Sequence, residues 1–229
     1  MRNRLSAIGA ALLLAAVPLT ANCYGGTVWT GTNYQVQASA PTPVGTSLLG
    51  VTLTAVGLNG AMPNAFDGVT GGMTGITTVG TNLHQVFEFA FNGSPTPTLA
   101  LINGANSVYY PIDSHFLVNP PAILPVIAPS ENQIVADPTE APFAGFGNSL
   151  NGNFSLAGAP TPTWDFAYLV VPSGTTVNLD FRLADGSGTH PFEVISGTMQ
   201  VPEPSSIVLL AVGLVGTGLA WLVRRRRRR

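Results

Sequence analysis

The sequence has little cysteine, little histidine and no lysine. Its 229 residues include one cysteine, three histidines and nine basic residues, all of them arginine. The single cysteine, Cys23, excludes a disulfide within the chain, so the fold has to be held by packing and hydrogen bonds. His84, His115 and His190 lie tens of residues apart without metal-ligand spacing, so we expect no dedicated zinc site and no other cofactor.

Positive charge is also missing from most of the chain. Between Tyr24 and Gln200, ten carboxylates face one arginine, Arg182, which gives this body a formal charge of −9. The total of −2 therefore averages an acidic body with two basic ends. An acidic body repels phosphate backbones, so we expect no nucleic-acid partner.

The basic C-terminus follows an uncharged apolar run from Ile207 to Val223. We predict a transmembrane helix over residues 206–223. At about 1.5 Å per residue the run spans roughly 26 Å, which is short for a bilayer core of roughly 30 Å and requires local thinning or snorkelling of the arginines. The arginines are expected to stop transfer and to remain cytoplasmic. They are Arg224, Arg225, Arg226, Arg227, Arg228 and Arg229.

The N-terminus has the layout of a secretory signal peptide, which we place at residues 1–22. Arg2 and Arg4 precede an apolar run, and Pro18 and small residues follow it. The alternative is an N-terminal helix that is amphipathic or buried. Cys23 comes just after the predicted cleavage point, either as an inert free thiol or as a lipid-modified terminus; Asn22 is a poor residue to precede a lipidated cysteine.

The segment "VPEPSS" joins the body to the apolar run. With that run and the arginine cluster it resembles the PEP-CTERM sorting signal of Gram-negative bacteria, over residues 201–229. In that family the recognition element is Pro-Glu-Pro, here Pro202, Glu203 and Pro204. The resemblance implies export, processing by a membrane-embedded exosortase, and sorting to the cell surface or to an exopolysaccharide matrix.

Residues 23–200 are predicted to form one mainly β ectodomain, an antiparallel β-sandwich of jelly-roll or Ig-like type. In "TTVNLDFRLA", Val177, Leu179, Phe181 and Leu183 share one face and polar residues the other. In "WDFAYLVV" the inward set is Trp164, Phe166, Tyr168 and Val170. Further predicted strands are "TVWTGTNYQVQA", "VTLTAV", "HQVFEFAF", "TLALI", "SVYY", "HFLV" and "FEVISGTM".

No helical periodicity appears in the body, so the two hydrophobic ends are the only predicted helices. "SAPTP", "GSPTPT" and "GAPTPT" are interpreted as extended connectors between strands. The proline-rich stretch over residues 119–147 is predicted to be a surface excursion that covers one sheet edge.

Candidates for chemistry are few. "HQVFEFAF" places His84 on its polar face, and "DSHF" places Asp113 and His115 together on one exposed strand face, where a polar pair is favoured over catalysis. No G-x-S-x-G is present. Asp67 and Asp185 lie in glycine-rich turns, which are interpreted as plain Asp-Gly turns in preference to calcium loops.

These observations favour a non-enzymatic surface protein with a structural or adhesive role. Its expected partners are an exosortase-type enzyme, the membrane, and exopolysaccharide or other matrix components. The alternative is a surface sandwich that binds or cleaves glycans. That function requires an aromatic platform beside paired carboxylates, and the candidates for the platform are Trp29, Tyr34, Tyr109 and Tyr110.

Overall fold

A computed structural model describes residues 26–86, 107–117, 123–126, 135–140, 144–156, 160–185 and 188–202. Their regular structure consists of β-strands and two 3₁₀ segments, which confirms the mainly β prediction. Among these residues no helix has the length and apolar character needed to cross a membrane. The predicted signal peptide (1–22) and transmembrane helix (206–223) lie outside the described residues.

In the described residues, sixteen strands pair antiparallel in three sheets. In chain order they are β1 (Gly26–Thr30), β2 (Tyr34–Ala38), β3 (Thr42–Val44), β4 (Leu48–Gly57), β5 (Pro63–Asp67), β6 (Gly75–Thr78), β7 (Leu83–Val86), β8 (His115–Phe116), β9 (Ile123–Val126), β10 (Val135–Ala136), β11 (Ala144–Gly147), β12 (Ser149–Leu150), β13 (Asn153–Leu156), β14 (Thr163–Pro172), β15 (Thr176–Asp185) and β16 (Glu193–Gln200).

The first sheet has the order β1-β2-β4-β14-β8, with β3 also on β4. In the second sheet, β6 and β5 pair with successive parts of β15 on one side, and β16 pairs with β15 on its other side. Strand β12 pairs with β6, and β13 lies between β5 and β9. A small third sheet has the order β10-β11-β7.

The two larger sheets share one apolar core centred on Phe66 of β5. Its ring contacts four other phenylalanine rings at centroid distances of 4.8 to 5.9 Å. Phe154 and Phe181 belong to the same sheet as Phe66, whereas Phe116 and Phe166 belong to the first sheet. Buried aromatic pairs add to the free energy gained from burying their area, so this cluster joins the two sheets.

Strand β15 confirms the predicted alternation. Val177, Leu179, Phe181 and Leu183 are all at most 1% exposed. Asn178, Asp180 and Arg182, on the opposite face, are half-buried. A strict period of two is sufficient to orient a strand with one apolar face.

Strand β14 is central, between β4 and β8, but its predicted inward set is wrong in its second half. A bulge between Asp165 and Ala167 shifts the register. Beyond it, Ala167, Leu169 and Val171 join the main core, while Tyr168 and Val170 do not. A bulge adds one residue to a strand and so reverses its faces.

Three other local predictions need correction. "TVWTGTNYQVQA" is two strands, β1 and β2, separated at Gly31–Asn33. "SVYY" begins the 3₁₀ segment Ser107–Ile112, which contains Pro111. Part of the connector "SAPTP" is in β3, which pairs with β4. The predicted strand "TLALI" lies outside the described residues.

The proline-rich stretch over residues 119–147 contributes backbone to two sheets. Its β9 forms the outer strand beside β13, and its β10 and β11 pair with each other. The stretch therefore adds an edge strand to the second sheet.

Candidate functional site

The last strand ends where the candidate sorting element begins. Val201 follows β16 directly and is fully buried. Its N–H donates to Thr175 O, and its carbonyl accepts from Gly174 N–H, both at 2.8 Å. Pro202 is half-buried, whereas Glu203, Pro204 and the six arginines lie outside the described residues. The motif is thus attached to the fold without an intervening linker.

Strand β16 is also fixed at its other end, through Glu193. This carboxylate accepts hydrogen bonds from three successive backbone amides in the turn between β1 and β2. The donors are Thr32 at 2.6 Å, Asn33 at 2.8 Å and Tyr34 at 3.2 Å. Charge-assisted bonds of this kind are stronger than neutral ones, so Glu193 joins the last strand to the first hairpin.

A second notable region is the buried polar cluster, which we define as His84, Gln85, Asp113, Ser114 and His115. It holds five of the ten buried polar or charged side chains found in the described residues. These residues lie on β7, on β8 and just before β8. The expectation that Asp113 and His115 form an exposed pair is wrong, because they are only 6% and 0% exposed.

Asp113 is held by the backbone of β7. Its Oδ1 accepts a hydrogen bond from Val86 N–H at 2.9 Å. Burial raises the pKa of Asp113 to about 8, and the bond from Val86 opposes this shift only in part. Removing the carboxylate from water disfavours its charged form, so at neutral pH Asp113 is mostly a neutral carboxylic acid.

His115 is neutral for the same physical reason. Burial lowers its pKa to about 4, against the opposing effect of its hydrogen bond with the Asp113 backbone. Its Nδ1 lies 2.7 Å from Asp113 O, which makes Nδ1 the protonated nitrogen. Nδ1 also lies 3.7 Å from Asp113 Oδ2. Tyr110 packs on the imidazole ring at a centroid distance of 4.4 Å.

His84 is fully buried, so its predicted position on a polar outward face is also wrong. Its Nδ1 lies 2.6 Å from Ile112 O, and its Nε2 lies 3.4 Å from Asp137 Oδ2. Phe146 packs edge-on against the ring. All four side chains of β7 are buried, both the apolar and the polar ones. An alternation of apolar and polar residues therefore could not identify the buried face of this strand. Phe87, Glu88, Phe89 and Phe91 lie outside the described residues.

Ser114 and Tyr168 join the buried polar cluster to β14. Ser114 Oγ accepts from Val170 N–H at 2.8 Å and lies 3.2 Å from Val170 O. The Tyr168 hydroxyl donates to Pro111 O at 3.0 Å. The ring of Tyr168 occupies the space over Gly50, where an added Cβ would collide with the Tyr168 hydroxyl oxygen. The hydroxyl of Ser114 is thus engaged by backbone groups, which favours an anchoring role over nucleophilic chemistry.

The carboxylates of the two glycine-rich turns bind groups of this chain. Asp67 Oδ1 accepts from Val69 N–H and Thr70 N–H, and Oδ2 lies 3.9 Å from Arg182. Asp185 Oδ2 lies 2.5 Å from His190 Nδ1, a pairing that the turn sequence "ADGSGTH" did not lead us to predict. Across the described parts of the chain, no cluster of three or more His, Cys, Asp or Glu side chains is suited to a metal.

The four candidate platform aromatics do not form one exposed surface. Tyr34 is fully buried in the core, and Trp29 packs against that core. Tyr109 packs against a separate small cluster that includes Val86 and Ile112. Tyr110 stacks on His115.

A polar groove of about 340 Å³ lies at the β6 and β12 side of the second sheet. Its lining includes Thr74, Thr77, Asn148, Ser149 and Asn151. On this side Thr198, Asn178, Thr77 and Ser149 follow one another in register across β16, β15, β6 and β12. Hydroxyl and amide groups in such a row can bind other hydroxyl groups by hydrogen bonds.

Comparison with known proteins gives a match at the C-terminal boundary described above. No curated protein and no solved structure matches this chain. The model of the PEP-CTERM protein-sorting motif matches residues 200–228, a range that starts at the last residue of β16 and includes Pro202, Glu203 and Pro204. The chain therefore carries a C-terminal PEP-CTERM sorting motif, which supports exosortase-dependent sorting of an exported protein.

Proposed function

We propose that this protein is an exported, non-enzymatic surface protein whose β-sandwich ectodomain, residues 23–200, has a structural or adhesive role. An exosortase processes it at the C-terminal motif. It is anchored in the inner membrane before processing and then resides at the cell surface or in the extracellular matrix.

The observation that carries this proposal is the direct junction between fold and motif. The backbone N–H and carbonyl of Val201 are hydrogen-bonded to Thr175 and Gly174, and the matched motif includes Val201. The β-domain is therefore the cargo that the motif delivers. The proposed absence of catalysis is supported by the buried polar cluster, in which the side chains of Asp113, Ser114 and His115 bind backbone groups of their own chain.

Substitution of Glu203 tests the sorting step. In a host that contains the exosortase, Glu203→Ala should leave the protein in the membrane fraction as a heavier band, with less protein at the surface. Asp165→Ala is the matched control, because it removes one carboxylate from an exposed position far along the chain from the motif. Normal size and normal surface display of Glu203→Ala would contradict the proposal.

A second candidate function is binding of neutral glycans, and the polar groove favours it. The groove offers hydroxyl and amide groups, and a sugar presents hydroxyls that such groups recognise. A glycan array probed with the detergent-solubilised full chain tests this function. Binding that is lost in Thr77→Val, a change that keeps the side-chain shape, and kept in Thr54→Val would support it. If both variants bind glycans as well as the wild type does, the glycan-binding site lies outside the polar groove.

A further inference from the structure

Among the described strands, those at the sheet edges are protected against pairing with other chains, with the exception of β16. Strand β1 carries a bulge between Thr27 and Trp29. Strands β3 and β9 contain Pro43 and Pro125, and β8, β10 and β12 have two residues each. The outer side of β7 is bonded by Asp113 and Ser114. Short length, bulges, proline and coverage all reduce edge-to-edge association.

Strand β16 has none of these protective features. It has eight residues and pairs with β15 without interruption from Glu193 to Gln200. It contains neither proline nor a basic residue. Its one charged side chain, Glu193, is engaged by the amides of residues 32–34. Val194 is 47% exposed, and the preceding Phe192 is 54% exposed.

The hydrogen-bond pattern shows which backbone groups of β16 face outward. On the side of β15 that faces β16, Val201 N–H donates to the carbonyl of Thr175, the residue just before β15. On the opposite side of β15, Val79 N–H donates to Thr176 O. Because antiparallel bonding alternates along a strand, the odd-numbered residues of β16 bond to β15. The backbone groups of Val194, Ser196, Thr198 and Gln200 therefore point away from the sheet. Within the described residues, no backbone bond from a third strand reaches them.

The neighbouring hairpin, β1 and β2, does not pair with this edge through backbone hydrogen bonds in the described residues. A Cβ added to Gly197 would lie 3.7 Å from Cδ1 of Trp29 in β1, so the indole ring lies on the side to which a residue 197 side chain would point. Residue 197 belongs to the odd-numbered set whose side chains face the core, as do the buried Ile195 and Met199. Trp29 thus packs against the core-facing side of β16, and in the described part of the chain no backbone hydrogen bond from β1 reaches the outward groups.

We propose that β16 pairs antiparallel with β16 of a second copy of this chain. A two-fold arrangement that sets Ser196 opposite Thr198 of the second copy also sets Val194 opposite Gln200 of the second copy. Outward groups then meet outward groups, and no charged side chains oppose each other. A closed pairing of this kind uses the same surface on both copies.

Two further observations favour a second copy over a different partner. Strand addition joins an exposed sheet edge to a second extended strand, and each copy supplies both the edge and such a strand. The proposed function supplies the second condition, because sorting of many copies to one surface raises their local concentration. The acidic bodies, with a formal charge of −9, repel each other across a distance that salt screens. Pairing should therefore strengthen as salt is added.

The experiment uses the full chain in detergent. Sedimentation velocity measures self-association, and hydrogen exchange at single-residue resolution compares dilute with concentrated samples. We expect a dimer whose formation slows exchange at Val194, Ser196, Thr198 and Gln200. Ser196→Pro removes an outward N–H without removing a bond to β15 and should raise the dimer dissociation constant by about tenfold or more. Ser196→Thr, which keeps the N–H, should pair like the wild type.

Equal association of Ser196→Pro and wild type would overturn the proposal, as would exchange at these four amides that does not depend on concentration. Melting temperatures are measured in parallel. If Ser196→Pro does not fold, Thr198→Glu takes its place, because it keeps the amide and adds a negative charge to each copy at the pairing edge. It should weaken association, and association equal to that of the wild type would overturn the proposal. Pairing is measured in detergent, so a failure of surface sorting would overturn the proposed function and leave this result intact.

Discussion

The phenylalanine core and the buried polar cluster are equally inaccessible to water but are held in different ways. Phe66 and its neighbours touch through rings at 4.8 to 5.9 Å and have no directional bonds to satisfy. In the polar cluster, Asp113, Ser114 and His115 are each fixed by hydrogen bonds to backbone atoms. The core joins the two sheets through the apolar area that it buries, whereas the polar cluster fixes residues 113–115 through directional hydrogen bonds.

This difference predicts which kind of change should destabilise each region. A core of close-packed rings loses free energy in proportion to the volume removed. Around a buried polar group, the fold loses stability when a substitution leaves a hydrogen-bond partner unbonded. It also loses stability when the buried group becomes charged. The core should therefore respond to side-chain size and the cluster to pH.

The largest effect should come from breaking the core. Phe66→Ala removes the ring that four others contact, and we expect it to lower the free energy of unfolding by about 3–5 kcal/mol. Urea denaturation measures this value. Phe192→Ala, at an exposed position, is the control and should change stability by less than about 0.5 kcal/mol. Similar losses in the two variants would show that the core is centred elsewhere.

A pH series sharpens the comparison. The folded pKa of Asp113 is raised to about 8, so the folded state retains a proton that the unfolded chain has released, and stability falls as pH rises towards 8. The pKa of His115 is lowered to about 4, so stability falls as pH drops from 6.5 to 4. The two slopes oppose each other below pH 6.5, and only the Asp113 slope remains above it.

The variant that tests this linkage is Asp113→Asn. Wild type should lose on the order of 2 kcal/mol between about pH 6.5 and 8, because one pKa unit corresponds to about 1.4 kcal/mol. Asp113→Asn should have an almost flat profile in this range. Asp165→Asn, at an exposed carboxylate, should keep the wild-type slope. A flat wild-type profile would mean that Asp113 is already ionised at neutral pH.

The smallest effect should come from a single hydrogen bond at the edge of the cluster. Tyr168→Phe removes the bond to Pro111 O and keeps the ring over Gly50, so we expect a loss of about 0.5–1.5 kcal/mol. Thermal unfolding with matched enthalpies gives the value. Gly50→Ala should cost more than Tyr168→Phe, because its Cβ competes with the Tyr168 hydroxyl for the same space. The reverse order would place Tyr168 away from Gly50.

The sequence predicted the strands whose pattern is purely local. In β15 every second residue is apolar, and the inward face of Phe181 and its neighbours was assigned correctly. The bulge in β14 could not be predicted, because both of its faces are partly apolar and one extra residue leaves no compositional mark. The sorting motif was recognisable because it consists of three elements in a fixed order.

The buried polar cluster escaped sequence analysis for a physical reason. Asp is almost never fully buried unless it is paired, and His has no strong preference for burial. The groups that bind Asp113 and His84 are backbone atoms 27 and 28 residues away in the chain. Such partners leave no motif in the sequence. Pro111 did signal that "SVYY" would not continue as a strand, since proline lacks the N–H that a central strand needs.

The bond between Glu193 and the first hairpin has a consequence for the order in which the chain can fold. Thr32 and Glu193 are 161 residues apart, and contacts of such separation carry a large loop-closure cost and slow folding. A chain that leaves the cytoplasm N-terminus first cannot form this contact until β16 has also crossed. Since the sorting motif follows β16 at once, completion of the ectodomain and arrival of the C-terminal segment at the membrane should be nearly simultaneous.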